Sequence, residues 1–324
     1  MASSLGRMGL VYYKTDYTNR TVVKEFILIA FSELHHLQVF LSVFILLSYI
    51  ICVTGNIIII ILIKIDPLLY TPMYLFISAF AVLEIIFVTV TLPNLLDNLI
   101  SGNNSMSVLG CFTQMYVFNG LGITECYLLA VMAFDRDLAI NNPLHYSSIM
   151  KKKLCFTLAV VPWIVGFTIS FLTTLFTARL NFCGPNQINH FFCDVGPLQT
   201  LACSDLFVSK VAVFLSAVFS IVLSFIIIIA FYIHIIITIS KIKSVDGKKK
   251  AFSTCSSHLT VASLFFGTTI IVYATPIDTQ FDKFLALIYT VLTPLLNPFI
   301  YTLRNKDVKS AVRRSRVLIA RILT

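Results

Sequence analysis

The sequence predicts an all-α membrane protein, a seven-transmembrane helix bundle, and three observations carry that prediction. Seven separate stretches are apolar over the roughly 20 residues that a helix needs to cross a bilayer core. The chain is 58% hydrophobic and only 12% charged, where soluble domains carry about 25% charged residues. Its Lys and Arg residues sit at the ends of these runs, mostly on one side. No run alternates like a barrel strand, and all are too long and too apolar for one, so helices are the predicted spanning element.

The spans fall near 38–63, 72–97, 110–138, 154–175, 206–239, 252–275 and 284–303. The fifth, through "LSFIIIIAFYIHIIITI", is apolar beyond one bilayer thickness and is expected to project past the membrane. The N-terminal "MASSLGRMGLVYYKTDYTNRT" contains no apolar h-region of signal-peptide length, so the first span is expected to direct insertion. Between spans, 17 Lys and Arg residues lie on the side of the C-terminal tail and 7 on the other. Such an excess marks the cytoplasmic face. It predicts an extracellular N-terminal segment (1–37), a seven-helix domain (38–303) and a cytoplasmic tail (304–324) in a multi-pass plasma-membrane protein. Two glycosylation sequons, at Asn19 and Asn103, fall on the same predicted outer side. The formal charge of +9 then reflects a membrane-surface bias, and the expected partner of these basic residues is lipid and not nucleic acid.

The third span can be read as a ruler. From Cys111 to Arg136 is 25 steps, roughly 37 Å of helix at 1.5 Å per residue, a little more than the bilayer core. Glu125 lies between them, and the 11 steps to Arg136 bring the helix face back to within roughly 20°. Phe118 and Met132, seven residues either side of Glu125, share that face. A carboxyl at such depth rarely faces lipid, so this stripe is expected to face the bundle interior. Of the eight cysteines, Cys52, Cys126, Cys155 and Cys255 read as small buried hydrophobes. Cys111, Cys183, Cys193 and Cys203 gather on the outer side, where two disulfides are favoured over a metal site built with His190.

"MAFDRDLAI" at the end of the third span resembles the signature that closes the third helix of odorant receptors, within the rhodopsin-like G-protein-coupled receptors. The same family is matched by "TPMYLFIS", "HFFCDVGPLQTLACSD", "KAFSTCSSHL" and "PLLNPFIYTLRNKDVKSA". These motifs run in order from about Asn19 to Ala311, and the outer-loop pattern is similar to the tetrapod-type receptors. The resemblance implies disulfides Cys111–Cys193 and Cys183–Cys203, and a G-protein switch at Asp135, Arg136 and Asp137 with Asn297, Pro298 and Tyr301. It implies acidic positions at Glu84 and Glu125 that can hold a sodium ion, with no other cofactor, and a short amphipathic cytoplasmic helix after Arg304. The ligand positions it implies are Met115, Phe118, Asn119, Gly122 and Ile123 on the third helix, and Phe266, Thr269, Ile270 and Tyr273 on the sixth. The implied partners are a small-molecule odorant and a heterotrimeric stimulatory olfactory-type G protein.

Three positions depart from the family pattern. Asp137 stands where Tyr is usual and is expected to offer Arg136 a second carboxylate. Asn141 replaces a usual Cys, and Phe266 replaces a usual Tyr. The alternative these departures leave open is a weakly coupling chemosensory receptor outside the nose. A transporter would need charges along a path and related halves, which the sequence lacks. An enzyme would need an activated nucleophile, and Ser256, Ser257 and His258 point in different directions around a helix. No carboxylate falls between Cys111 and Thr124, and no cation within "LFFGTTIIVYATPI". Lys210 and Lys283 are expected at watery loop margins. A neutral, mostly apolar ligand is therefore expected.

Overall fold

The computed structural model describes residues 23–31, 35–183, 185–274, 280–304 and 308–314. Among these, seven helices are long and apolar enough to cross a membrane. They are α1 (Gln38–Ile65), α2 (Pro72–Ser101), α3 (Val108–Asn141), α4 (Lys152–Ala178), α5 (Phe207–Lys241), α6 (Val245–Ala274) and α7 (280–304). Most outrun their apolar stretches, because polar end signals and not hydropathy set the boundaries. Pro72 opens α2, where its missing N–H costs nothing, and Gly102 stops it with φ 68°. Ser107 caps α3 by accepting a hydrogen bond from the Gly110 amide at 3.1 Å.

Helix α3 is the axle. It is the most buried of the spanning helices and packs on α2, α4, α5 and α6. Phe118, Glu125, Met132 and Arg136 are all buried, so the stripe read from helical periodicity does face inward. The α3–α4 crossing is set by Gly166, where a Cβ would collide with the Thr124 hydroxyl and lie 2.8 Å from the Gly120 carbonyl oxygen. On the far side, Gly55 lets α1 approach Pro298 of α7, whose Cβ would be 3.0 Å from an added methyl. Helices α5 and α7 each contain a π turn, at Val218–Val222 and Ile288–Leu292. Within the first, the Phe219 carbonyl accepts a hydrogen bond from the Tyr127 hydroxyl of α3 at 2.9 Å.

The end of the bundle that carries the disulfides has a small sheet that the helical prediction did not include. Strand β1 (Glu25–Leu28) pairs antiparallel with β2 (Ser105–Ser107) and parallel with β3 (Gln187–Ile188). Strands of four, three and two residues are too short to leave an alternating pattern in the sequence. Phe26 and Leu28 of β1 pack over Cys111, Met115, Cys193 and Leu198. The chain beyond β1 is held by Lys283 of α7, whose ammonium donates to the carbonyls of Ile29 and Ala30 at 3.2 and 3.1 Å. Lys283 is only 3% exposed, which corrects its expected place at a watery margin: the N-terminal segment folds over it.

At the opposite, basic end, residues 308–314 are helical. Val308 and Ala311 are buried, while Lys309, Ser310, Arg313 and Arg314 are exposed, the pattern of an amphipathic helix. The Arg314 guanidinium donates twice to Asp66 in the α1–α2 turn, at 2.9 and 2.5 Å. Desolvation opposes ionisation of Asp66, but Arg314 and the Leu68 amide outweigh it and hold the carboxyl below its usual range.

The α3–α4 contact leads to a prediction. Gly166→Ala should lower the thermal midpoint of the purified protein, since overpacking a tight contact costs about 1–3 kcal/mol. A midpoint equal to wild type would mean that the crossing has slack.

Candidate functional site

A cavity of about 240 Å³ opens between α3, α5, α6, α7 and the loop that joins α4 to α5. Helix α3 contributes Phe118, Asn119, Gly122, Ile123 and Cys126, while α6 contributes Phe265 and Thr269. Tyr289, from the π turn of α7, closes the floor, with its hydroxyl 3.3 Å from where a Cβ on Gly122 would sit. The walls are mainly apolar, and their polar members differ in availability. Ser220 donates to the Ser216 carbonyl at 2.5 Å. Gln199 donates to the Ser209 hydroxyl at 2.9 Å, which in turn meets Thr177 at 3.0 Å. Asp194 accepts from the Val195 amide at 2.7 Å as the cap of a short helix, Val195–Thr200. The Thr269 hydroxyl is buried and has no hydrogen-bond partner among the described residues.

The roof is the α4–α5 loop. Cys111 and Cys193 are disulfide-bonded with Cα atoms 5.3 Å apart, and Cys183 and Cys203 with Cα atoms 5.7 Å apart. Gln114, which sequence reading passed over, is a second pin. Its carbonyl accepts from the Cys193 amide and its NH2 group donates to the Val90 carbonyl of α2, both at 2.9 Å. Phe192 lies 4.4 Å from Phe118, centroid to centroid, which seats the roof on the cavity wall. Beside it, His190 stacks on Phe191 and lines the cavity. Burial and the nearby Lys283 ammonium push His190 down to about 3, so the imidazole is neutral.

Of the nine ligand positions expected from the sequence, Phe118, Asn119, Gly122, Ile123 and Thr269 line this cavity. Three others lie elsewhere. Met115 is one turn nearer the disulfide end, beneath the sheet. Phe266 packs away from the cavity against Phe225, at 5.3 Å. Ile270 is 46% exposed on the outer face of α6. The Tyr273 side chain and Asn19 lie outside the described residues. The cavity adds Tyr289, Phe265 and the loop residues His190, Asp194 and Gln199. The last three could not be placed from the sequence, because no helical period governs a loop.

At the basic end the Arg136 guanidinium is ion-paired with Asp135. The other oxygen of Asp135 accepts from the Tyr146 hydroxyl at 2.6 Å. Burial and the Asp135 carboxylate push the Tyr146 phenol well above its usual range, so it stays a neutral donor. Asp137 does not act as a second partner for Arg136, which corrects the sequence expectation. It points to α5 and meets His234 at 2.8 Å, because residues 135 and 137 lie about 200° apart around the helix. Helix α6 joins this end through His258, which meets the Tyr232 hydroxyl of α5 at 2.7 Å and the Leu129 carbonyl of α3 at 3.0 Å. The carbonyl can only accept, so His258 Nε2 carries the proton and Nδ1 accepts from Tyr232.

Between cavity and basic end lies a buried polar pocket. Asn297 of α7 donates to one oxygen of Glu84 on α2. The other Glu84 oxygen, the Asn297 side-chain oxygen and the Tyr301 hydroxyl have no partner among the described residues. Glu125 is buried on α3, within electrostatic reach of the Glu84 carboxyl. Pro298 sits against Gly55, and Tyr301 packs edge-on against Phe80 at 6.0 Å.

Comparison with known proteins gives a consistent result. The family model described as "Olfactory receptor" matches residues 44–319. Olfactory receptor 1M1 of Mus musculus is 46% identical over 300 residues, covering 91% of this chain and 96% of the relative. Olfactory receptor 11L1 of Homo sapiens is 43% identical over 299 residues, covering 91% and 93%. Olfactory receptor 10AG1 of Homo sapiens is 46% identical over 303 residues, covering 93% and 100%.

The state of His190 makes stability depend on pH. Its folded value of about 3 lies below the usual 6.5, so between these limits the unfolded chain binds the proton first and stability falls as pH falls. The full contribution is present above about pH 6.5. A His190→Gln variant, which keeps an acceptor without titrating, should lose less of its thermal midpoint than wild type between pH 7 and 4. Parallel curves for the two proteins would show that His190 is not the titrating group.

Proposed function

The chain belongs to the olfactory receptor family, and from that premise we propose that it binds a small, mostly apolar and neutral odorant in the cavity between α3, α5 and α6. It is a multi-pass membrane receptor and not an enzyme. The observation that carries the ligand class is the cavity wall: aromatic and aliphatic surface with a buried Thr269 hydroxyl that has no partner among the described residues. Such a wall rewards apolar area at about 25 cal/mol per Å² and orients one neutral polar group, the character of an alcohol, aldehyde, ketone or ester. Asn119 offers a second polar contact. The buried cation nearest the roof, Lys283, is engaged by backbone carbonyls of the N-terminal segment, which supports a neutral ligand over an acid.

In this reading the disulfide end faces outward at the plasma membrane and the basic end faces the cytoplasm, as the Lys and Arg distribution supports. Odorant binding shifts a two-state bundle. The basic end, with Asp135, Arg136, Asp137, Asn297, Pro298 and Tyr301, engages a stimulatory olfactory-type G protein and raises cAMP. The Glu84–Asn297 pocket fits a sodium ion, because the Glu84 and Asn297 oxygens left without a partner among the described residues are acceptors that a cation would satisfy. Glu84 and Glu125 would hold the ion, and its charge would relieve the repulsion between two buried carboxyls.

A cAMP screen of surface-expressed receptor against a broad odorant panel tests the ligand class. Neutral apolar agonists are expected, and a hit set made only of permanent cations or strong acids would overturn it. For an oxygen-bearing agonist, Thr269→Val should raise the half-maximal concentration roughly 2- to 12-fold, the equivalent of one hydrogen bond of about 0.5–1.5 kcal/mol. Glu125→Gln should abolish the effect of sodium on basal signalling, and unaltered sodium sensitivity would make the two acids passive packing groups.

A further inference from the structure

Asp137 and Asn141, two of the positions where this chain departs from its family pattern, meet in space together with a third side chain, His234. The Asp137 carboxylate oxygen Oδ1 lies 2.5 Å from Asn141 Nδ2, one turn along α3, and 2.8 Å from His234 Nδ1 on α5. Asn141 Nδ2 is itself 2.9 Å from His234 Nδ1. The chemistry of the acceptor fixes who donates. A carboxylate oxygen accepts only, so the Asn141 amide is oriented with its NH2 group on Asp137, since the flipped amide would set two oxygens against each other. His234 Nδ1 must then carry its proton towards the same oxygen. One buried carboxylate oxygen therefore receives one donor from its own helix and one from the neighbouring helix. Asp137 is 8% exposed, while the His234 side chain is 57% exposed.

We propose that Asp137, Asn141 and His234 form a clamp that fastens α5 to α3 at the basic end and holds the bundle closed. Asn141 aims the carboxylate, and His234 is the strike plate on α5. Two residues earlier on α5, Tyr232 is bound to His258 of α6, and His258 is bound in turn to the Leu129 carbonyl of α3. Helix α5 is thus tied to α3 by His234 and to α6 by Tyr232, and α6 is tied to α3 by His258, which closes a ring of three helices. No helix of the three can leave the other two without opening two of the links, and α5 cannot leave α3 without opening the clamp. The clamp is the link whose α3 side is made by residues at departing positions, and the one partly solvated link of the three, since Tyr232 and His258 are buried. It also removes Asp137 from the Arg136–Asp135 pair, so Asp137 acts as a positioning residue between helices and not as a brake on Arg136.

The proposal rests on the reading that the basic end opens in the active state, and the test separates the two. Cys255, at the start of the α6 span, is free and buried beneath this ring, while Cys52 is free and buried in α1. N-ethylmaleimide alkylation of full-length receptor in membranes, followed residue by residue by mass spectrometry, reports opening at Cys255 and general loosening at Cys52. Asp137→Ala and His234→Leu should each speed Cys255 alkylation at least threefold with Cys52 unchanged. The double variant should go no faster than the singles, and the exchanged pair Asp137→His with His234→Asp should return towards wild type. Should Asp137→Ala fail to reach the surface, the half-exposed His234→Leu carries the test alone. An unchanged Cys255 rate in His234→Leu, or effects that multiply in the double variant, would overturn the clamp. Basal cAMP at matched surface expression is the second arm, expected to rise about twofold or more with either single variant. Flat cAMP alongside faster Cys255 alkylation would sink the coupling reading and leave the clamp standing.

Discussion

Lipid offers no hydrogen bonds, and that constraint organises the whole molecule. Every buried polar group along the spans must find its partner on its own helix or on another, or remain unmet at a cost of several kcal/mol. Helix α3 bears the heaviest load, with Glu125, Asp135, Arg136 and Asp137 all buried, and it is accordingly the helix that the others surround. Its partners are spread over the fold: Asp135 with Arg136 and Tyr146, Asp137 with His234, and the Leu129 carbonyl with His258. Polar pairs of this kind are made or broken one at a time. A bundle held by them moves between discrete arrangements and does not deform smoothly.

The disulfide end answers a different need. A cavity must stay open inside a close-packed bundle, so its roof has to be held without being filled. Covalent bonding of Cys193 to Cys111 does part of this, and Gln114 adds two hydrogen bonds that tie the same loop to α2. Strand β1 then lies across the loop, with Lys283 holding the chain that follows it. The roof is thus rigid for reasons independent of the cavity contents. The buried Thr269 hydroxyl on α6 has no partner among the described residues, and an occupant with a polar group can complete it.

The helices were legible because lipid makes apolar length a sufficient signal. Their ends were less so, since capping by Ser107 or Gly102 depends on single residues. On α3 the helical period separates inward from outward faces but does not say at what depth the cavity stops, and the family resemblance that offers Met115 beside Phe118 does not say so either: Met115 lies under the sheet. On α6, Ile270 is one step of about 100° from Thr269, and that step carries it out to the lipid face. Lys283 and Asp137 depart from expectation for a shared reason: each is bound to a segment distant in sequence, residues 29–30 and His234. No local pattern encodes such a contact.

The same period that made α3 a ruler applies to α6. Thr269 faces the cavity and His258 faces the three-helix ring, and the 11 steps from one to the other bring the helix back to within roughly 20° of the same direction over roughly 16 Å. Val261, Ala262 and Phe265, buried between the two, occupy the same side. A helix with its hydrogen bonds intact moves as a rod, so a small shift that lets Thr269 reach an occupant also displaces His258 against Leu129 and Tyr232. Binding can favour the displaced state only by the difference in free energy it gains there. A single hydrogen bond of about 1 kcal/mol is a small lever, worth roughly fivefold in population. It is effective only if the ring at the basic end is itself held by terms of similar size, which is the range expected for a partly solvated pair such as Asp137 and His234.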